Sequence, residues 1–348
     1  MSRNLFPVVF DGHNDVLLRL GAKDGGGPGA FFERHDKGHL DLPRAREGGF
    51  GGGFFAVWVP SPQEQPGERT PNGLPPALDA AYAMHRSMAA VATLFRIEDR
   101  SDGKFRIVRS VSELQRSLED DVMPAVLHFE GADAIDTDLN ALHVLYRAGL
   151  RSLGLVWGRP NAFAEGVAVH YQRSPDTGPG LTAAGRELVR ACNDLRIMID
   201  LSHLNERGFW DVAELTNAPL VATHSNAYAL CPSSRNLTDP QLDAMAASDG
   251  MVGLNFAVNF LREDAARDAN TPLDVMVRHV DYLVERIGID RVGFGSDFDG
   301  VLISREIGDV SGLPKLLSAL KDRGYDDPAL AKFAHENWLR VLRKTWGG

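Results

Sequence analysis

Cysteine is scarce in this chain. Only Cys192 and Cys231 occur among 348 residues, far apart and in no Cys-x-x-Cys spacing, so a disulfide framework is not expected and a reducing compartment suits the chain. Positive charge is also in deficit: 37 Lys and Arg face 47 Asp and Glu, a net charge of -10. That argues against nucleic acid and anionic membrane surfaces as partners, since both call for basic patches. It leaves anionic small molecules open, because one local Arg can bind one. No apolar run approaches the roughly 18 residues needed to span a bilayer. The N-terminus has no basic stretch followed by a long apolar core, so no signal peptide is expected and a cytoplasmic location follows. Also missing are a Walker-type loop, a Gly-x-Gly-x-x-Gly turn, internal repeats and a low-complexity tail. His335-Glu336 has no second His at the zincin spacing.

What remains is an ordinary globular composition, 44% apolar and 24% charged. Short β-rich runs alternate with longer amphipathic ones. Strands are expected at Pro7–Asp11, Gly53–Val59, Met123–Phe129, Arg151–Trp157, Ile197–Leu201, Leu220–Thr223, Met251–Phe256 and Arg291–Ser296. Helices are expected at Pro75–Arg96, Leu139–Ala148, Thr182–Leu195, Glu206–Leu215, Asp239–Ala247, Leu273–Ile287 and Leu313–Asp322, with a long closing helix at about Pro328–Trp346. Strands that are apolar throughout and alternate with helices belong to a parallel sheet covered on both faces. Eight such units predict an α/β fold, a (β/α)8 TIM-type barrel, as one domain over residues 1–348. Lys23–Gly29 and Pro60–Pro76 read as surface loops, and the Gly48–Gly53 cluster as a tight turn into the second strand.

In such a barrel the chemistry sits at the C-terminal ends of the strands. Strand one runs into Asp11-Gly12-His13-Asn14-Asp15. On an extended strand end, residues two apart point the same way, so His13 and Asp15 can converge on one ion. Strand three ends at Glu130, strand five at His203, strand six at His224 and strand eight at Asp297. His13, Asp15, Glu130, His203 and His224 make three imidazoles and two carboxylates, a donor set suited to zinc. Five donors are too many for one four-coordinate catalytic ion that keeps an open position. They fit two zinc ions: His13 and Asp15 on one, His203 and His224 on the other, Glu130 bridging. A hydroxide held between the ions would be the nucleophile, with Asp297 orienting it and carrying its proton to the leaving group. Mn²⁺ and Co²⁺ suit the same donors.

These residues resemble the renal (membrane) dipeptidases, peptidase family M19, a binuclear zinc branch of the amidohydrolase superfamily. The likeness spans nearly the whole chain. It rests on Asp11-Gly12-His13-Asn14-Asp15, Glu130-Gly131, Asp200-Leu201-Ser202-His203, Thr223-His224-Ser225-Asn226-Ala227 and Gly295-Ser296-Asp297-Phe298-Asp299-Gly300. His-x-Asp with a bridging Glu, in place of His-x-His with a carboxylated Lys, is the dipeptidase variant of the superfamily. The resemblance implies a (β/α)8 barrel and hydrolysis of dipeptides, often with a D residue at the C-terminal position. It implies that Arg235, in Ser233-Ser234-Arg235-Asn236, grips the substrate carboxylate, as a planar guanidinium can. It places Asn255 and Phe256 where the family lines its substrate pocket, and it allows a homodimer.

One departure stands out. Where the family usually has a His after strand four that polarises the scissile carbonyl, Gly154-Leu155-Val156-Trp157-Gly158-Arg159 offers Trp157. An indole donates one hydrogen bond and cannot become cationic. Three outcomes follow: the metals alone stabilise the transition state, another residue such as His170 or Arg159 swings in, or the substrate is not an ordinary dipeptide. Other superfamily hydrolases, acting on N-acyl amino acids or lactones, are therefore the alternative, and a non-enzymatic metal- or ligand-binding barrel is a third.

Overall fold

The computed structural model describes residues 6–62 and 73–347. Leu5, which opens the first apolar run, and residues 63–72 of the expected second loop lie outside the described residues. Nine strands form one parallel sheet: β1 (Val9–Asn14), β2 (Phe50–Val57), β3 (Phe105–Ile107), β4 (Met123–Glu130), β5 (Leu150–Gly154), β6 (Met198–Asp200), β7 (Val221–Ser225), β8 (Met251–Leu254) and β9 (Val292–Phe294). Eight follow one another around the sheet in chain order, and the short β3 pairs with the start of β4 off that path. Every pairing is parallel, as strands joined by crossover helices require.

The last strand returns to the first just beyond their C-terminal ends. Asn14 bridges to Phe298. Asp297 N donates to His13 O at 3.0 Å, and Asp15 N donates to Phe298 O at 2.7 Å. Asp11, buried in β1, accepts from the backbone N and the hydroxyl of Ser296 at 2.7 and 2.6 Å. A (β/α)8 barrel results, with β1 and β9 meeting along this seam.

Two cores flank the strands. Side chains from the inner faces, Phe10, Phe54, Val126, Met198, Val221 and Met251, pack with Trp338, Val341 and Leu342 of the closing helix, which plugs the barrel floor. The larger core lies between the strands' outer faces and the surrounding helices, with Leu127 and Phe129 of β4 among its members. Period-two alternation along β4 explains the division: Val126, His128 and Glu130 point inward while Leu127 and Phe129 point out.

All eight expected strands are present, with shifted ends. β2 begins at Phe50, so Gly51 to Gly53 lie inside the strand rather than in a turn before it. β5 stops at Gly154, which leaves Trp157 in the following loop. The closing helix is interrupted by a π turn at Lys332–Glu336, between Asp327–Ala331 and Asn337–Trp346. Just past this turn, Asn337 donates to Ile289 O and Val292 O, and the Trp338 indole donates to Phe294 O at 3.0 Å. The wide turn thus coincides with the point where the helix locks onto β9. Gly12 makes room for this plug: a Cβ there would lie 2.4 Å from both Thr223 O and the Trp338 ring. Among the described residues, no helix is long and apolar enough to cross a membrane.

Candidate active site

The seam between β1 and β9 and the ends of β4, β6 and β7 bring all six expected polar residues together. Glu130 Oε1 lies 2.8 Å from His203 Nε2, 3.5 Å from His224 Nε2 and 3.8 Å from His13 Nε2. His13 Nε2 is 3.5 Å from Asp15 Oδ2. Donor atoms fall into overlapping groups: His13 with Asp15 and Glu130, Glu130 with His203 and His224, and His13 with His224 and Asp297. The His13 and His224 rings stack at 3.8 Å. Asp297 and Asp299 both hold positive φ, 60° and 68°, conformations that Asp tolerates better than most residues. The tight bend turns the Asp297 carboxylate back over His13. Gly300 completes it, since a Cβ there would lie 2.1 Å from Asp15 Oδ2 and 2.5 Å from Asp297 Oδ1.

Burial and neighbouring charge shift several of these groups. Burial pushes Glu130 well above the usual carboxylate range and Asp297 up to about 7, against the pull of His13. Burial opposes charge on His13, but Glu130, Asp15 and Asp297 outweigh it and raise the imidazole to about 10. His203 and His224 are held well below the usual imidazole range, by burial first and then by neighbouring cationic groups such as Arg235 and His13. Carboxylates crowded this closely repel one another unless a cation joins them. Both His13 ring nitrogens and Asp15 Oδ1 are buried without a hydrogen-bond partner among the described residues. Buried polar atoms are rarely left so. Orphaned imidazole and carboxylate atoms converging on a cluster of like donors fit divalent metal ions.

The remaining expected residues divide. Arg235 is buried behind the cluster, where it donates to Ser225 Oγ and His224 O, both at 3.0 Å, and its Nε is buried without a partner. Asn255 donates to Asp297 Oδ2 at 2.8 Å and so contacts the expected proton carrier. Phe256 is fully buried, edge-on to Phe294 and Phe298. It packs in the core and offers no surface to a ligand, because the residue after Asn255 turns to the outer face of the barrel. Trp157 is half-buried, 6.1 Å from the His203 ring and edge-on to Trp58 at 5.0 Å. Arg159 stacks on Trp157 at 4.9 Å and donates to Val59 O and Ser61 Oγ, so it is committed to the loop after β2. His170 has its backbone paired to Ser234 in both directions. Cys231 donates to Asn259 O, and burial pushes its thiol up to about 11, which argues against a Cys–His nucleophile.

One more imidazole, fully buried, belongs to this neighbourhood. His128 lies inside the barrel below His13, rings 5.3 Å apart, with Nδ1 on Ser152 Oγ at 2.8 Å and Nε2 3.6 Å from Asp200 Oδ2. It shares the parity of Glu130 along β4 and so faces the same side of the strand.

A parallel barrel that gathers imidazoles and carboxylates at the C-terminal ends of its strands is the layout of the amidohydrolase-like hydrolases. Comparison narrows the class. The model of the family "Membrane dipeptidase (Peptidase family M19)" matches residues 5–346, and the chain belongs to that family. A crystal structure of a metallopeptidase from Rhodobacter sphaeroides, liganded with a phosphinate mimic of the dipeptide L-Ala-D-Ala, superposes with a TM-score of 0.94 at 49% identity, covering 98% of this chain and 100% of that one. An uncharacterised protein from the pqqA 5' region of Klebsiella pneumoniae is 49% identical over 74% of this chain and 94% of its own length. The dipeptidase tcpJ of Claviceps purpurea is 28% identical over 96% of this chain and 76% of its own length.

Proposed function

We propose that this protein hydrolyses dipeptides, including those with a D residue at the C-terminal position, at a centre of two divalent metal ions, zinc being the ion the donors suit best. The observation that carries the reading is Glu130, whose Oε1 faces three imidazole Nε2 atoms within 3.8 Å. His13 and Asp15 would hold one ion, His203 and His224 the other, and Glu130 both. The bound pair would supply Lewis acidity, making a water acidic enough to attack near neutral pH and polarising the scissile carbonyl. Asp297 takes the proton from the attacking water and returns it to the departing amine. Asn255 occupies Asp297 Oδ2, which leaves Oδ1 for that transfer. Arg235 turns its uncommitted Nε–H to the substrate carboxylate while its other nitrogens brace the end of β7. The phosphinate dipeptide mimic carried by the R. sphaeroides relative supports the substrate class.

A second reading, hydrolysis of N-acyl amino acids or lactones, is favoured by the Trp58–Trp157 pair braced by Arg159. It replaces an ionisable donor with an apolar wall. The test is product release from a pool of L,L- and L,D-dipeptides and N-acyl amino acids by metal-loaded protein, with a chelated control. Metal-dependent release of amino acids from dipeptides is expected. Turnover confined to N-acyl compounds would favour the second reading, and no metal-dependent turnover at all would refute both.

A further inference from the structure

Beneath the candidate metal centre, one buried carboxylate holds His224 from two sides through a pair of hydroxyls. Asp200, at the end of β6, accepts four hydrogen bonds. Ser202 N and Ser202 Oγ reach Oδ1 at 3.0 and 2.6 Å, Thr223 N reaches Oδ1 at 2.9 Å, and Thr223 Oγ1 reaches Oδ2 at 2.6 Å. A carboxylate so surrounded is acceptor only, so both hydroxyl protons point at it. Each hydroxyl oxygen is then free to accept, and both accept from His224. Ser202 Oγ takes the His224 backbone N–H at 3.0 Å, and Thr223 Oγ1 takes the ring at Nδ1, 2.7 Å away.

The direction of these bonds leaves one tautomer. Thr223 has a single hydroxyl proton, and Asp200 holds it. The short contact to His224 Nδ1 can form only if that nitrogen carries the hydrogen. Nε2 then bears the lone pair, and Nε2 is the atom facing Glu130 at 3.5 Å and His203 Nε2 at 3.1 Å. We propose that Asp200, Ser202 and Thr223 are positioning residues that lock His224 in its metal-binding tautomer and orientation, with Thr223 the link on which ring tautomer depends. The inference rests on the reading of His224 as a metal ligand. Its physical basis is general: the hydrogen-bond partner of a ligand's second ring nitrogen fixes which nitrogen binds and how strongly.

The experiment uses the full chain, metal-free and then titrated with zinc against a competing chelator. Thr223→Val removes the hydroxyl at nearly constant shape, and Thr223→Ser keeps it. Val is expected to weaken binding of the ion by roughly 10- to 100-fold, with Ser restoring wild-type affinity. A purely structural role would lower the melting temperature of the metal-free protein and leave the zinc affinity unmoved. Equal affinity in wild type and Thr223→Val overturns the inference while the metal reading stands. Absence of zinc binding in the wild type overturns the metal reading and this inference with it. Should Thr223→Val fail to fold, nitrogen-15 NMR of the metal-free wild type decides, with His224 assigned by loss of its signals in His224→Gln: hydrogen on Nδ1 supports the device and hydrogen on Nε2 refutes it.

Discussion

Acidification should weaken this fold through a histidine well outside the candidate metal cluster. His279 is buried in the helix Leu273–Ile287. Its Nε2–H donates to Leu261 O at 2.9 Å, and its Nδ1 accepts the backbone N–H of Ala227 at 3.3 Å. A proton added at Nδ1 would set two donors against each other, in a site that burial already makes hostile to charge. Burial, with a smaller contribution from Arg278, lowers the imidazole to about 4 in the folded protein, whereas an unfolded chain titrates it near 6.5. The folded pKa is depressed, so the neutral ring's contribution is fully present above about pH 6.5 and lost as pH falls towards about 4. In that window the unfolded chain binds the extra proton, and stability falls with it. The gap of about 2.5 pH units amounts to a loss of about 3 kcal/mol between roughly pH 7 and pH 4. Urea unfolding of chelated wild type and His279→Gln across that range isolates the effect, because every other titrating group is common to both. Gln can keep a donor to Leu261 and an acceptor for Ala227, so the variant is expected to be mildly destabilised near neutrality yet less sensitive to acid. Parallel pH dependences in the two proteins would refute the argument.

Three further substitutions test the candidate active site. Asp297→Asn should retain bound metal and lose most turnover, whereas Glu130→Ala should lose metal as well; metal analysis beside steady-state kinetics separates them, and equal metal loss would make Asp297 a ligand. Trp157→His should raise kcat on dipeptides, because an imidazole beside His203 can stabilise developing negative charge better than an indole; unchanged or lower turnover would mean that the aromatic wall serves a different substrate.

Most of the barrel can be read from the chain because parallel strands covered on both faces are apolar runs bounded by polar turns. Met123 to Phe129 and Val292 to Phe294 have that form. The three residues of β3 and the six of the helix Val16–Gly21 escaped it, being too brief to show a period; the helix Val111–Glu119 does carry one, with Val111, Leu114 and Leu118 at helical spacing behind a Ser110 cap, and was not expected. At the candidate site, His13, Asp15, Glu130, His203, His224 and Asp297 stand out in the chain because each lies at or just past the end of an apolar run with a side chain that can ligate or carry a proton. The hydroxyls of Ser202 and Thr223 do not. Their roles depend on where Asp200 sits across the β6–β7 pair, and no local spacing encodes that. Phe256 misled for the opposite reason: adjacency to Asn255 says nothing about which face of the barrel a side chain takes, and in the structure Phe256 faces the outer core.

The seam between β1 and β9 has a consequence for how the protein comes into being. Asp11 and Ser296 are bonded across 285 residues of chain, and Asp297 meets His13 across nearly as many. A ribosome will have released nearly the entire barrel before either partner can find the other. Until then β1 and β8 present unpaired strand edges, which invite pairing with other chains. The candidate donor cluster is equally incomplete, since Asp297 reaches it only when β9 docks. Nascent protein stalled short of that strand would be both unable to finish the candidate cluster and prone to aggregate, so premature termination late in the message should be as damaging as loss of the opening motif.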